Sequence, residues 1–348
     1  MVWHGIQGHD TVVEQFRRAL ERGRLASSFL FGGPAGIGKR TFALKLAQAM
    51  LCERRPEEAM DPCEMCPPCT MVLAGTHPDI MRVSRPEGKS EIPVALLIGE
   101  KDRRMREGMC HDIGLKPFMG GRKIAIIDDA DFLNEEGANS LLKTLEEPPP
   151  RSVLVLIGTS PAKQLPTIRS RCQLIRFRPL ETEVVAELLV SKGLVSDISE
   201  ASRLARYAEG SLQRAVELAD PDLWNFRRTL FERLSASILE SVSLAQSVSA
   251  FVEEAGKEAP PRRARLRQIV GFAADFYRHL VHATSGSPLP DDADLRRFLE
   301  QARGRWRGGP TAAATCLDRC LDAASQIDRN ANQTTLIEAW LDDLSAAT

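Results

Sequence analysis

The spacing of apolar positions changes twice along the chain, and those changes divide it. Val12, Val13, Phe16 and Leu20 recur at helical spacing with Glu14, Arg17, Arg18 and Glu21 between them. This predicts a first helix after the Gly5–Gly8 turn. Short unbroken apolar runs then take over at Phe29–Phe31, Ile124–Ile127 and Val153–Ile157, with two further short strands, each holding one arginine, expected at Ile80–Val83 and Leu174–Phe177. Runs without polar alternation mark strands buried on both faces, as in a parallel sheet flanked by helices. An Ala- and Leu-rich stretch from Phe42 to Leu51 reads as helix, and so does the highly charged stretch 94–113, which follows a polar loop at 85–93.

Past Pro179 the period becomes helical. Val184, Leu188 and Leu189 share a face, Ile198 to Ala208 follows, and Leu212 to Leu218 begins behind Glu209-Gly210-Ser211, a helix stop and N-cap. From Leu223 onward the pattern is helix, broken at Gly256–Pro261, Ser285–Pro290 and Gly308–Pro310. The expected organisation is an α/β domain over 1–178, a small helical domain over 179–222 and an all-helical domain over 223–348.

Candidate chemistry sits where the apolar runs end. Gly33 and Gly38 bracket a G-x-x-x-x-G-K loop with Gly36 inside it, between the first strand and a helix. Glycines let successive backbone N–H groups turn toward a phosphate, and the helix N-terminus adds partial positive charge. Lys39 is placed for the terminal phosphates. A Ser or Thr hydroxyl for Mg²⁺ is expected next; Arg40 stands there, and Thr41 comes one place late. Asp128 ends the Ile124–Ile127 run, where an open parallel sheet binds ligands, and is the candidate for holding Mg²⁺. Asp129 follows it in the place of a water-polarising Glu, one methylene short. Thr159, after the Val153 strand, is a candidate for the terminal phosphate or its water, or an ordinary strand-end threonine. Two arginines, Arg169 and Arg171, precede the last strand; an exposed arginine beside a subunit boundary can reach a neighbour's nucleotide site, though by residue type alone a surface arginine is favoured.

Cys52, Cys63, Cys66 and Cys69 have the spacing C-x10-C-x2-C-x2-C over residues 52–69. Pro62, Pro67 and Pro68 are expected to break helix there and set the thiols on tight turns. Four thiolates suit a closed, structural Zn²⁺ site; an iron–sulfur centre and unligated thiols are the alternatives. His77 in Gly75-Thr-His-Pro-Asp79 reads as a turn residue, and Cys316 and Cys320 as small packing residues.

Bulk composition narrows the class. The 348 residues suffice for two or three domains, and a net charge of −1 confines any nucleic-acid contact to a local patch or a partner. The basic run Pro261–Arg267 reads as a solvated helix face. No leader or membrane span is read, so a cytoplasmic protein is expected, with cysteines reduced or on metal.

With those residues in view, the sequence resembles the clamp-loader branch of the AAA+ proteins, and within it the delta-prime type of DNA polymerase III subunit. The resemblance is carried by Gly33-Pro-Ala-Gly-Ile-Gly-Lys-Arg40, the four cysteines, Gly75–Asp79, Ile126–Asp131, Leu141–Pro149, Ser170-Arg-Cys172 and Asp328–Asn332. It implies a P-loop AAA+ α/β domain with a zinc insertion, a helical lid and a helical C-terminal collar. It implies partners: gamma/tau-type motor subunits and a delta-type subunit in a heteropentamer, the sliding clamp, and primer–template DNA through the complex, in a bacterial, nucleoid-associated replisome. It implies structural Zn²⁺ on the four cysteines, ATP or ADP with Mg²⁺ at Lys39 and Asp128, Thr159 as first sensor, and Arg171 completing a motor subunit's ATP site. Arg40, Asp129 and Gln213, which stands where the second sensor has arginine, depart from the hydrolytic pattern. Little or no ATPase of its own is therefore expected. The alternatives are an ATP-hydrolysing motor subunit of the same loader and, explaining only the cysteines, a zinc-dependent nucleic-acid-binding module.

Overall fold

The computed structural model describes residues 3–119, 121–290, 292–306 and 308–347, arranged as two compact units, Met1–Ala219 and Asp220–Thr348. The first unit is built on five parallel strands: β1 (Ser28–Gly32), β2 (Ile80–Val83), β3 (Lys123–Ile127), β4 (Ser152–Gly158) and β5 (Gln173–Arg176). Their order across the sheet is β2-β3-β4-β1-β5. Register is set by pairs such as Leu30 with Leu156, Phe31 with Ile175 and Ile126 with Val155. Every residue of β1, β3 and β4 is buried, as their unbroken apolar runs require.

Alternation along β1 divides the core. Leu30 faces an aliphatic layer with Ile92, Leu97, Ile127, Leu141 and Leu156. Phe29 and Phe31 face the other way into an aromatic layer, where Phe16 lies 5.0 Å from Phe29 and Phe177 lies 5.0 Å from Phe31 and 5.2 Å from Phe42. The fold class is the one expected: a parallel-sheet domain with a phosphate-type loop, a cysteine-bearing insertion, a small group of helices and an all-helical unit.

Two local expectations are corrected. The stretch 94–113 is not one helix but Val94–Ile98, a 3₁₀ turn at Lys101–Arg103, and Met109–Asp112. Gly99 and Gly108, at φ 85° and 89°, turn the chain there. A Cβ on Gly108 would lie 2.6 Å from the Gly99 backbone nitrogen, so the two turns are pressed together. The second correction concerns Pro67 and Pro68. Instead of preventing a helix they begin one, Pro67–Ala74, because the first turn has no need of their missing N–H groups. The helix Glu135–Glu146, N-capped by the Asn134 side chain on the Gly137 N–H at 2.8 Å, fills the β3–β4 crossover.

After β5 come the helices Thr182–Ser191, Ile198–Tyr207 and Leu212–Glu217. Asp197 caps the second and Ser211 the third, as its sequence position predicted. In the second unit the long helix Ala259–Thr284 packs most extensively on Gly309–Asp328. Cys316 and Cys320 are fully buried in this packing. The basic run at 261–267 forms part of the long helix, with Arg265 paired to Asp220 and Arg267 to Asp328. Arg227 is 2 % exposed, bonds Asp292 at 2.8 Å, and stacks 4.3 Å from the Phe231 ring centroid.

Candidate nucleotide cavity and cysteine centre

β1 ends at Gly32, and the glycine loop leads from it into the helix Lys39–Met50. Gly36 and Gly38 hold φ of 72° and 96°, which L side chains rarely adopt. Space is as demanding as conformation. A Cβ on Gly33 would lie 2.4 Å from the Phe177 carbonyl, and one on Gly36 would lie 2.3 Å from Ser211 Oγ. The Gly36 carbonyl accepts from the Leu212 N–H at 3.1 Å, so the third lid helix rests directly on the phosphate loop. His9 braces the loop from beneath. Its Nε2 lies 2.7 Å from the Ile37 carbonyl and so donates to it, while burial keeps the imidazole pKa below its usual value.

A cavity of about 640 Å³ opens beside this loop, at the carboxyl ends of the strands. Gly36, Gly38, Lys39, Arg40, Thr41, Asp128, Asp129 and Thr159 all line it, so the structure brings together most of the nucleotide-site residues expected from sequence; Gly33 lies in the adjoining turn. Gln213 and Lys192 close it from the lid side, and Leu188, Leu194 and Val216 give it an apolar wall. The Lys39 ammonium is buried and donates to the Gly33 and Pro34 carbonyls. Burial lowers its pKa, opposed by the charges of Asp131 and Asp128.

Asp128 leaves β3 with its N–H on the Val83 carbonyl at 2.8 Å. The Arg40 Nε stands 3.5 Å from its Oδ2. Asp129 takes left-handed backbone at φ 56°; burial and then the Asp128 charge raise its pKa, with Arg85 and Arg40 opposing. The third carboxylate, Asp131, was not singled out from sequence. It accepts from the Thr159 N–H at 2.8 Å, from the Thr159 hydroxyl, and from Gln164 Nε2 at 3.0 Å. Thr159 is thus tied to the turn after β3, an arrangement that pairing of β3 with β4 creates and linear spacing does not reveal.

The donor set fits a phosphate: two left-handed glycines, a helix N-terminus and a buried ammonium converge on the loop. It does not fit Mg²⁺ in the usual way. Position 40 offers a guanidinium, which has five donors and no acceptor oxygen.

Arg171 lies elsewhere. It precedes β5, at the amino end of a parallel sheet whose carboxyl end carries the cavity. Strands of this length span about 15 Å, so Arg171 has no access to its own chain's cavity. Its guanidinium bonds Glu146 at 2.6 Å through Nη2 and 2.9 Å through Nε, and the Thr167 carbonyl at 3.0 Å. Both side chains are open to solvent, 33 % for Arg171 and 50 % for Glu146.

The four cysteines of the insertion converge. Their Sγ atoms all lie within 4.8 Å of one another, with Cys63 and Cys69 4.0 Å apart. A tetrahedral Zn–S₄ centre has sulfur–sulfur edges of about 3.8 Å, so the cluster could bind zinc with a small contraction. The Met65 and Cys66 N–H groups aimed at Cys63 lower its thiol pKa to about 6, whereas burial raises that of Cys69. His77 is not part of the cluster; its Nδ1 accepts from the Asp79 N–H at 3.1 Å.

Residues 8–181, half of the chain, match the family described as "DNA polymerase III, delta subunit". The chain belongs to this family. Among curated relatives it is 34 % identical over 212 residues to DNA polymerase III subunit delta' of Bacillus subtilis, covering 61 % of this chain and 59 % of the relative. It is 39 % identical over 155 residues to subunit delta' of Pseudomonas aeruginosa, covering 43 % of each. Subunit tau of Escherichia coli is 30 % identical over 219 residues, 62 % of this chain and 32 % of that protein. The matched segment spans no more than about three fifths of any of these relatives. Among the described residues no helix is long and apolar enough to cross a membrane.

Proposed function

We propose that this chain is a stationary, activating member of the bacterial DNA polymerase III clamp loader. In this reading it sits in a heteropentamer with gamma/tau-type motor subunits and a delta-type subunit. The ring opens the sliding clamp and places it on primed DNA in the cytoplasm, and this chain supplies Arg171 to a neighbour's ATP site. In this reading 1–178 and 179–222 are the AAA+ pair and 223–348 is the collar. Zinc on Cys52, Cys63, Cys66 and Cys69 is structural, since four sulfurs leave no open coordination position.

One observation carries the reading. Arg171 precedes β5, at the opposite end of the sheet from its own chain's cavity, and its side chain is open to solvent, which supports a role toward a neighbouring chain. There a guanidinium would neutralise charge developing on a transferred phosphoryl group. The cavity itself retains the features for holding a polyphosphate but not those for splitting it. Asp129 replaces the water-polarising glutamate, and Thr159 already donates to Asp131. Among the lid residues, Gln213 is a neutral amide that bonds Glu217 at 2.9 Å, and the Arg214 guanidinium bonds Glu209 at 2.7 Å.

The test is ATP turnover by a reconstituted loader carrying Arg171→Ala in this chain. Assembly should persist and turnover should fall. Unchanged turnover in an intact complex would remove Arg171 from the mechanism.

A further inference from the structure

We propose that Arg40 is the built-in counter-ion of the phosphate-loop cavity, standing in for the divalent metal, so that a nucleoside di- or triphosphate binds here without Mg²⁺. The inference rests on reading the cavity as a polyphosphate site, and it is independent of the role given to Arg171.

Three observations lead to it. The first is position. Arg40 lies in the first turn of the helix Lys39–Met50, a turn with no acidic residue and two adjacent cations. Cations at a helix N-terminus oppose the helix dipole, so the dipole does not favour this pair. Lys39 is held by the loop carbonyls of Gly33 and Pro34, whereas Arg40 faces Asp128. The second is the partner. The Arg40 Nε is 3.5 Å from Asp128 Oδ2, the oxygen that would otherwise face a metal. Asp128 is only 21 % exposed, so a guanidinium placed there occupies its open side. A divalent ion would have to share that carboxylate with a fixed positive charge. It would also find no oxygen at position 40, and Mg²⁺ requires near-octahedral oxygen ligands. Thr41 lines the cavity too, but one residue along a helix turns its side chain by about 100°.

The third observation is charge. Asp128, Asp129 and Asp131 crowd this side of the cavity, where a phosphate chain would be repelled unless a cation intervenes. Lys39 is engaged by the loop carbonyls of Gly33 and Pro34. Arg40, 61 % exposed and reaching over Asp128, is the cation on the carboxylate side that can span carboxylate and phosphate together, while Lys192 lines the cavity from the lid side. Its planar fork can hold one oxygen pair on each edge. A metal exchanges with bulk solvent and is recruited with each nucleotide; a side chain is not. The site so built holds its ligand statically, and ATP and ADP should bind alike.

Isothermal titration of the full chain with ADP and with ATP, in magnesium buffer and in EDTA, tests this directly. The expected result is binding whose affinity differs by less than about threefold between the two buffers. Arg40→Ser restores the ordinary hydroxyl. It should weaken binding in EDTA by about tenfold and regain it when Mg²⁺ is added, while Arg40→Lys keeps metal-independent binding. Lys39→Ala should abolish binding in both buffers and so locate it in this cavity. Wild-type binding that needs Mg²⁺ would overturn the proposal. So would the absence of binding in either buffer, which would make Arg40 a plug and leave the Arg171 reading to stand or fall on its own test. The Arg40 side chain is mostly in solvent, so circular dichroism and melting of the variants should match the wild type.

Discussion

Arg40 and Arg171 each lie against a carboxylate, and their surroundings separate them. Arg40 stands beside Asp128 over its own chain's cavity, at the carboxyl end of the sheet. Arg171 stands beside Glu146 at the amino end, away from its own chain's cavity. In the proposed reading the same side chain fills a site in one place and is offered outward in the other. On that reading, substitutions at positions 40 and 129 remove catalysis in cis while leaving untouched what is needed in trans. The two ends of a parallel sheet are independent surfaces joined only by the rigid strands between them.

Removing metal is the largest perturbation expected, and it sharpens the comparison by touching neither arginine. Freshly purified, reduced protein should carry one zinc per chain, and a chelator should open 52–69 to protease. Folding of small zinc modules draws about 10 kcal/mol or more from the metal, so the insertion should not survive stripping. A preparation with no stoichiometric zinc by metal analysis would refute the assignment.

Next is Arg171→Ala, which should reduce hydrolysis at the one neighbouring site it faces by roughly 10³-fold, read as single-site turnover in the assembled complex. A drop seen in the isolated chain instead would collapse the distinction between the two ends.

Gly36→Ala probes the cavity end. Its φ of 72° and the 2.3 Å approach to Ser211 Oγ mean that a methyl group must push the lid helix off the loop. The expected cost is about 1–3 kcal/mol in denaturant unfolding, with ADP binding lost. An unchanged midpoint would show that loop and lid are not in contact in solution. Asp79→Ala removes the carboxylate that accepts from the Phe118 and Met119 N–H groups at 2.7 and 2.9 Å. It should cost a similar 1–3 kcal/mol while leaving ADP affinity as it was.

The smallest effect expected is from Glu146→Gln. Losing the charge behind Arg171 should lower complex turnover by about two- to fivefold without changing assembly, because an exposed ion pair contributes little more than orientation. An effect equal to that of Arg171→Ala would make Glu146 a full partner in the chemistry.

Much of this was legible in the sequence. The five segments read as strands are the five strands: the inner ones, β1, β3 and β4, are apolar runs because they are covered on both faces, while the edge strands β2 and β5 carry the exposed Arg82 and Arg176. The glycine loop, the Ser211 cap and the cysteine set depend on short-range spacing, so residue order alone carries them. The stretch 94–113 did not read correctly. Its composition suits a helix, but Gly99 and Gly108 close on one another, and that approach pays off only through packing of Leu97, Ile98 and Met109 on the sheet. Pro67 and Pro68 misled for a related reason: whether proline starts or stops a helix depends on which side of it the chain continues.

Residue order by itself thus determined which side chains end each strand, the presence of an arginine where a hydroxyl belongs, and four thiols near enough in the chain to meet. Tertiary structure decided what those side chains face. Strand order brings β3 beside β4, and so Asp131 to Thr159; the lid's return brings Leu212 and Gln213 onto Gly36; helix direction sets Arg40 over Asp128 and leaves Arg171 at the far end. These are contacts between residues tens of positions apart, formed only when burial of the sheet draws its crossovers together, and no local spacing encodes them.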